Sequence, residues 1–493
     1  MTTTAQNAQN NACDLILFGT KGDLARRKLL PALYQLEKAG LLAADSRIIG
    51  VARDDMDNAG YLEMVKTNLT TFLKKETLDE TVWQQLCAKL LYVQLDLTQT
   101  SDYQKLGKLV DASKRTPVSY FATPPALFGD LCKGLAAAGL AAEPSRVVLE
   151  KPIGHDLASS VVINDQVAAH FKECQIYRID HYLGKETVLN LLALRFANAI
   201  FASNWDHNAI DHVQITVAEE VGVEGRWSYY DDAGQMRDMV QNHLLQVLSL
   251  IAMEPPARLD ADSIRDEKLK VLKALRRIDS SNVQEKTVRG QYASGFVAGK
   301  QVPGYLEEEG ARQGSRTETF VAIKVDIDNW RWAGVPFYLR TGKRMPKKHS
   351  EVVICFKPQP HNIFHETYNE LPANKLIIRL QPDEGVEVQV MNKIPGLGEH
   401  MRLQQSKLDL SFDETFKSQR IADAYERLLL EAMLGNQYLF VRRDEVEQAW
   451  QWVDGILNAW KNNNEPAKTY QAGTWGPVAS ISMLARDERN WDE

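Results

Sequence analysis

Short apolar runs that stop at a small or polar residue dominate the first third of the chain. Cys13-Asp-Leu-Ile-Leu-Phe18 ends at Gly19, and Ile48-Ile-Gly-Val-Ala52 ends at Arg53. Runs of this kind predict strands buried on both faces, as in a parallel sheet. Further strands are predicted at Leu91–Leu95, Val118–Ala122, Arg146–Leu149 and Gln175–Ile179. Between the first two runs, Asp23–Gly40 puts Leu24, Leu29, Leu33 and Leu36 at helical spacing, with Gly40 as carboxyl-terminal cap. Strands alternating with helices describe βαβ units and a doubly wound, Rossmann-like α/β domain.

After Glu186 the rhythm changes. Thr187–Ala197 has the length and leucine content of a buried helix, and Gln235–Met253 and Ala422–Ala432 are also predicted helical. Alternating or β-rich segments follow at His212–Val217, Glu318–Asp326, Phe337–Leu339, Glu351–Phe356, Lys375–Leu380 and Val386–Val390. They lie close together, with turns such as Pro382-Asp-Glu-Gly385 between neighbours, which favours antiparallel pairing. The pattern predicts a disordered tail at 1–12, a dinucleotide-binding domain at 13–185, and an α+β domain with a large, mostly antiparallel sheet at 186–493.

At 493 residues the chain exceeds what one core usually sustains, so length agrees with two domains. The net charge of −7, with no basic block to offset it, argues against a nucleic-acid partner. A bound anion must be held by a few local Lys and Arg side chains. No apolar run reaches bilayer length and Met1–Ala12 lacks the features of a signal peptide, so no membrane association and a cytoplasmic location are expected. The five scattered cysteines form no CxxC, which points to reduced thiols and no zinc site.

The loop after the first strand, Gly19-Thr20-Lys21-Gly22-Asp23-Leu24-Ala25, is Gly-x-x-Gly-x-x-Ala at a strand–helix junction. Gly19 permits a sharp turn, Gly22 lets a pyrophosphate approach the backbone, and Ala25 lets helix and strand pack closely. An acidic residue closing the second strand would favour NAD; Arg53 stands there and can meet a 2′-phosphate, which favours NADP with NAD as weaker use. Asp54 and Asp55 follow it and either weaken that preference or point to solvent. Two further strand ends, Tyr120-Phe-Ala-Thr-Pro-Pro125 and Glu150-Lys-Pro-Ile-Gly154, would line the cofactor cleft.

Arg178-Ile-Asp-His-Tyr-Leu-Gly-Lys-Glu186 packs Asp180, His181, Tyr182 and Lys185 into six positions ahead of the predicted helix. A helix amino end favours an anion, so this turn reads as a site for a small anionic substrate. His243 lies in Arg237-Asp-Met-Val-Gln-Asn-His243, where Met236, Met239, Val240 and Val247 share its approximate face. Taken alone it is a core histidine.

The string from 178 to 186 resembles the substrate signature of the glucose-6-phosphate dehydrogenase family, and the likeness runs from about Asp14 to about Pro477. The glycine loop, Glu150-Lys-Pro and Asp238-x-x-Gln-Asn-His243 also match that family's motifs, in its order, and the resemblance implies a cis bond at Lys151–Pro152. The resemblance implies an NADP-dependent oxidation of glucose 6-phosphate to a 6-phosphogluconolactone, with no metal. It implies His243 as general base, Asp180 as the carboxylate orienting it, and Lys151 between cofactor and substrate. His181, Tyr182, Lys185 and Lys348 would hold the 6-phosphate, and Lys151, Glu219, Asp238 and Lys343 the sugar hydroxyls. Residues Gly19–Leu24 and Arg53 would hold NADP, and Lys28 and Pro152 would lie near the gap between the two ligands. Lys21 stands where many relatives carry a hydroxyl residue. A homodimer or homotetramer is expected on the same ground. Two readings compete: a dehydrogenase of another sugar or sugar phosphate, and a non-catalytic NADP-binding sensor.

Overall fold

The computed structural model describes residues 12–73, 77–397, 401–417 and 419–493. The expected tail, apart from its last residue, lies outside them. Two compact units result. The first comprises the chain up to Lys185 together with Pro256–Asp266 and Ala422–Glu447; the second comprises Glu186–Pro255, Glu267–Ile421 and Gln448–Glu493.

The first unit is built on strands β1 (Cys13–Phe18), β2 (Arg47–Ala52), β3 (Leu90–Gln94), β4 (Thr116–Phe121), β5 (Arg146–Leu149) and β6 (Ile176–Ile179). They are parallel and lie in the order β6-β5-β4-β1-β2-β3. The order reverses beside β1, the point at which such sheets open a crevice for a ligand. All six residues of β1 are buried. Its one polar member, Asp14, is charge-matched by Arg47 at 2.7 Å and Arg115 at 2.8 Å, which removes the cost of burying a lone carboxylate.

The later segments join this unit by specific contacts. Phe440–Val441 pairs antiparallel with β6, Phe440 opposite Ile179. The helix Ala424–Leu434 packs against the helix Leu30–Lys38. That helix starts at a capping box, with the Asp423 side chain on the Tyr425 N–H and Glu426 reaching back to the Asp423 N–H, and ends at Gly435 with φ of +90°.

The predicted helix after Gly19 opens with a wide π-type turn, Ala25–Leu29, before the α-helix Leu30–Lys38. Leu30 N–H donates to the Ala25 carbonyl five residues back, and the next residue, Pro31, has no N–H to continue a regular ladder. Gly40 closes the helix as predicted, with φ of +67° and a bond from Leu41 N–H to the Leu36 carbonyl.

The second unit holds a nine-stranded sheet. Its order is Leu403–Ser411, Gly385–Lys393, Lys375–Gln381, His349–Phe356, Ile210–Ala218, Phe337–Gly342, Phe320–Val325, Thr287–Ala293 and Lys468–Gln471. Pairing is antiparallel except between Ile210–Ala218 and Phe337–Gly342, and between Thr287–Ala293 and Lys468–Gln471. Thr287–Ala293, Leu403–Ser411 and Lys468–Gln471 carry no clear strand signal. The first has Gly290 at its centre, where a Cβ would stand 3.0 Å from the Tyr470 ring, and the second is mostly exposed and polar. An aromatic core of Trp227, Tyr230, Tyr305, Phe320, Tyr338 and Tyr470 packs against one face.

Cys13, Cys132 and Cys355 are buried and all five cysteines are free thiols. Burial pushes the thiols of Cys132 and Cys355 up to about 12, so neither is a nucleophile near neutrality. Among the described residues no helix is long and apolar enough to cross a membrane.

Gly50, in the middle of β2, tests the packing of the first unit. A Cβ there would lie 2.3 Å from the Tyr61 hydroxyl oxygen, and Tyr61 is fully buried. Gly50→Ala should therefore cost about 1–3 kcal/mol of stability through overpacking. Circular dichroism melts would show a lowered unfolding midpoint; an unchanged midpoint would mean that Tyr61 has room to move.

Candidate active site

In the first unit, Gly19 turns the chain at the end of β1 with φ of +83°, and a Cβ on it would stand 2.5 Å from the Ala122 carbonyl oxygen. Only glycine fits there. Gly19 and Thr20 N–H groups donate to the Val51 carbonyl at 3.1 and 3.3 Å, and Gly22 N–H closes the turn on the Gly19 carbonyl at 2.8 Å. The Thr20 side chain is buried and shares a hydrogen bond with the Tyr61 hydroxyl at 2.8 Å. Its hydroxyl therefore anchors the loop. Gly22 and Asp23 are exposed and Leu24 is half-buried, with Asp23 bound to Arg27 at 2.6 Å.

At the end of β2, Arg53 is exposed, and among the described residues it forms no ion pair. Lys21 instead pairs with Asp54 at 3.0 Å and holds that carboxyl below its usual range, with a smaller contribution from Arg53. Of the two acidic neighbours that would repel a 2′-phosphate, Asp54 is thus already matched by Lys21. Arg53 stays available.

Glu150, at the end of β5, is buried, and its carboxyl accepts a 2.5 Å hydrogen bond from the Tyr120 hydroxyl at the end of β4. Burial raises the Glu150 pKa, opposed chiefly by the Tyr120 bond, then by the Lys151 charge and, more weakly, by a bond from Tyr425. Tyr425 comes from the late segment that joins this unit and carries no sequence signal for that place. Beyond Glu150, Lys151 is half-buried and the Lys151–Pro152 bond is cis, as anticipated.

The turn after β6 gathers four of the expected residues. Asp180 is buried and one of its oxygens accepts the Tyr182 N–H at 2.9 Å, which tightens the turn. The Lys185 ammonium lies 4.0 Å above the Tyr182 ring, close enough for a cation–π contact. The His181 ring stacks on Tyr425, with centroids 6.3 Å apart and planes 11° from parallel. Gly184 lets the turn approach the late helix, since a Cβ would stand 2.7 Å from the Ala424 carbonyl oxygen. Lys28 reaches the same helix and pairs with its cap, Asp423, at 2.9 Å.

In the second unit, the strands Ile210–Ala218 and Phe337–Gly342 run parallel and end level, Ala218 opposite Gly342. Glu219 and Lys343 therefore emerge side by side. Glu219 N–H donates to the Gly342 carbonyl at 2.9 Å, and the Lys343 ammonium meets Glu219 at 2.8 Å and Asp238 at 4.0 Å. Lys343 is buried, lies 5.0 Å from the centre of the Tyr230 ring, and has its main chain fixed by Thr319 and Tyr470. Lys348, five residues on, is exposed.

Asp238 and His243 sit on Met236–Leu244, where the predicted continuous helix is a π-helix. It follows the helix Trp227–Gln235, interrupted at Gly234 with φ of +70°, and precedes the α-helix Leu245–Ala252. Such wide turns often mark functional sites. His243 is fully buried.

Similarity to known proteins covers the whole chain. A model described as glucose-6-phosphate dehydrogenase, NAD binding domain, matches residues 16–190, and one described as the C-terminal domain of the same enzyme matches residues 192–492. The chain is 66% identical to glucose-6-phosphate 1-dehydrogenase of Dickeya dadantii (strain 3937), covering 100% of this chain and 99% of the relative. It is 50% identical to the enzyme of that name in Buchnera aphidicola subsp. Schizaphis graminum, over 98% of each. A solved glucose-6-phosphate dehydrogenase in complex with its substrate glucose-6-phosphate is 35% identical, covers 98% of this chain and 99% of that one, and has a TM-score of 0.89. With both of its domain types matched and relatives of that name aligned end to end, the chain belongs to the glucose-6-phosphate dehydrogenase family.

Proposed function

We propose that the chain oxidises glucose 6-phosphate at C1 to 6-phospho-D-glucono-1,5-lactone, using NADP⁺ and thereby opening the oxidative pentose phosphate pathway. The observation that carries this reading is the full-length likeness to a relative solved with glucose 6-phosphate. The Gly19 turn, which no side chain could share with Ala122, and the exposed Arg53 suit a dinucleotide with a 2′-phosphate. When bound, NADP⁺ supplies the hydride acceptor.

In this reading His243 takes the proton from the C1 hydroxyl, the general-base task most often given to an imidazole. Asp180 supplies the carboxylate that orients the imidazole and stabilises its protonated form. His181, Tyr182, Lys185 and Lys348 hold the 6-phosphate, since a dianion needs several donors and positive charge. Glu219, Asp238, Lys343 and Lys151 meet the sugar hydroxyls, which need donors and acceptors together. Gly19–Leu24 hold the coenzyme pyrophosphate largely through backbone. Lys28 and Pro152 border the same space. The sequence favours work in the cytoplasm, and by resemblance the chain forms a homodimer or homotetramer; the exposed Leu408 and Leu410 on the edge strand Leu403–Ser411 support self-association.

The direct test is growth of NADPH absorbance when the purified chain meets glucose 6-phosphate and NADP⁺. Other aldose 6-phosphates should react far more slowly. Failure to reduce NADP⁺ would leave the competing reading of a coenzyme-binding sensor.

His243→Asn should lower kcat by roughly two to four orders of magnitude while both ligands still bind, because only proton removal is lost. Steady-state kinetics with separate binding measurements check this, and near-normal turnover would remove His243 from the mechanism. Lys185→Ala should raise KM for glucose 6-phosphate while disturbing the slow oxidation of free glucose much less. Equal losses toward both sugars would contradict the phosphate assignment. Arg53→Ala should weaken NADP⁺ by about 1.5–3 kcal/mol, the scale of a charged hydrogen bond. NAD⁺ use should change little, and an unaltered ratio of kcat/KM for the two coenzymes would mean that another residue reads the 2′-phosphate.

A further inference from the structure

Glu318 is a buried carboxylate in the second unit, just ahead of the strand Phe320–Val325. A buried carboxylate is costly unless it is matched by donors. One of its oxygens accepts the N–H of Met236, the first residue of the π-helix, at 3.1 Å. Its main-chain carbonyl accepts the N–H of Gln235 at 3.0 Å and the Tyr230 hydroxyl at 3.2 Å. One residue thus satisfies two consecutive N–H groups at the start of the π-helix. A negative charge at that end is also favoured by the helix dipole.

The surroundings are shaped around this carboxylate. Gly234 breaks the preceding helix with φ of +70°, and a Cβ on it would stand 2.5 Å from the Glu318 oxygen. Gln235, fully buried, accepts the Tyr230 hydroxyl at 2.6 Å and donates to the Thr341 hydroxyl at 2.8 Å. Thr341 is two residues before Lys343. The neighbour of Glu318, Thr319, holds the Lys343 N–H through its carbonyl at 2.9 Å. Two adjacent residues therefore fix the main chain of Lys343 and the start of the helix that carries Asp238 and His243.

We propose that Glu318 is a positioning residue for the dehydrogenase reaction, setting the placement of Asp238 and His243 relative to Lys343 by clamping the start of the π-helix. In this role it acts through that helix and not by contact with substrate. The proposal rests on the roles given above to His243 and Asp238.

The test compares Glu318→Ala, Glu318→Gln and His243→Asn in the full chain. Displacing reacting groups by about an ångström costs on the order of a hundredfold. Glu318→Ala should therefore lower kcat by at least roughly tenfold, with KM for glucose 6-phosphate changed less and NADP⁺ binding unchanged. Glu318→Gln keeps an acceptor for the Met236 N–H and should recover most of the lost kcat. Gly234→Ala adds a clash with the carboxylate to the backbone strain of a β-carbon at φ of +70°; it should also lower kcat, and adding it to Glu318→Ala should cost less than it does alone, because the clash is gone while the strain remains. Wild-type kcat in Glu318→Ala while His243→Asn is inactive would overturn the positioning role alone. An active His243→Asn would overturn the reading on which it rests. If Glu318→Ala fails to fold, Glu318→Gln and Gly234→Ala decide: a Gly234→Ala variant with normal kcat contradicts the proposal.

Discussion

Two parallel strands ending level inside a mostly antiparallel sheet set the geometry on which the Glu219–Lys343 pair and the proposed sugar site depend. Ile210–Ala218 and Phe337–Gly342 stop together, so Glu219 and Lys343 leave the sheet as neighbours. The backbone bond from Glu219 N–H to Gly342 locks that register, and the 2.8 Å ion pair follows from it. A slip of one residue in either strand would turn its side chain to the face opposite the other's. Burying an ammonium is tolerable only with such partners, and here Glu219, Asp238 and the Tyr230 ring surround it.

The first unit solves a different problem, holding a dinucleotide with a chain of net negative charge. The turn after β1 is bare backbone, because no side chain fits at Gly19. Charge is arranged locally: Lys21 occupies Asp54, which leaves Arg53 beside a carboxylate already matched. Behind Lys151, Glu150 is held between the hydroxyls of Tyr120 and Tyr425, and Tyr425 also stacks on His181. One aromatic side chain thus braces both the strand end that carries Lys151 and the turn that carries His181.

Much of this was legible in the sequence because it is written locally. Strands buried on both faces betray themselves as unbroken apolar runs, so β1, β2 and β5 emerge within a residue of their ends. The glycine loop and the Asp180–Lys185 turn are contiguous motifs. What could not be read depends on contacts far apart in the chain. Tyr425 and Asp423 join the first unit only because Gly184 lets their helix approach and Phe440–Val441 adds to β6. The π-helix around His243 looks like an ordinary amphipathic helix in the sequence, and the residue that accepts the N–H at its start, Glu318, lies 75 positions beyond His243. Thr287–Ala293 and Leu403–Ser411 hide as strands because one carries a central glycine and the other faces solvent.

In the proposed sugar site, Lys343 and Glu219 form a single device set by the strand register, and not two independent contacts. A double-mutant cycle of Lys343→Met and Glu219→Gln, read as kcat/KM for glucose 6-phosphate, tests it most directly. If Glu219 acts mainly by holding Lys343, the double variant should be no worse than Lys343→Met alone, leaving a coupling of about 1–3 kcal/mol. Losses that simply add would contradict the account, because each residue would then be acting independently.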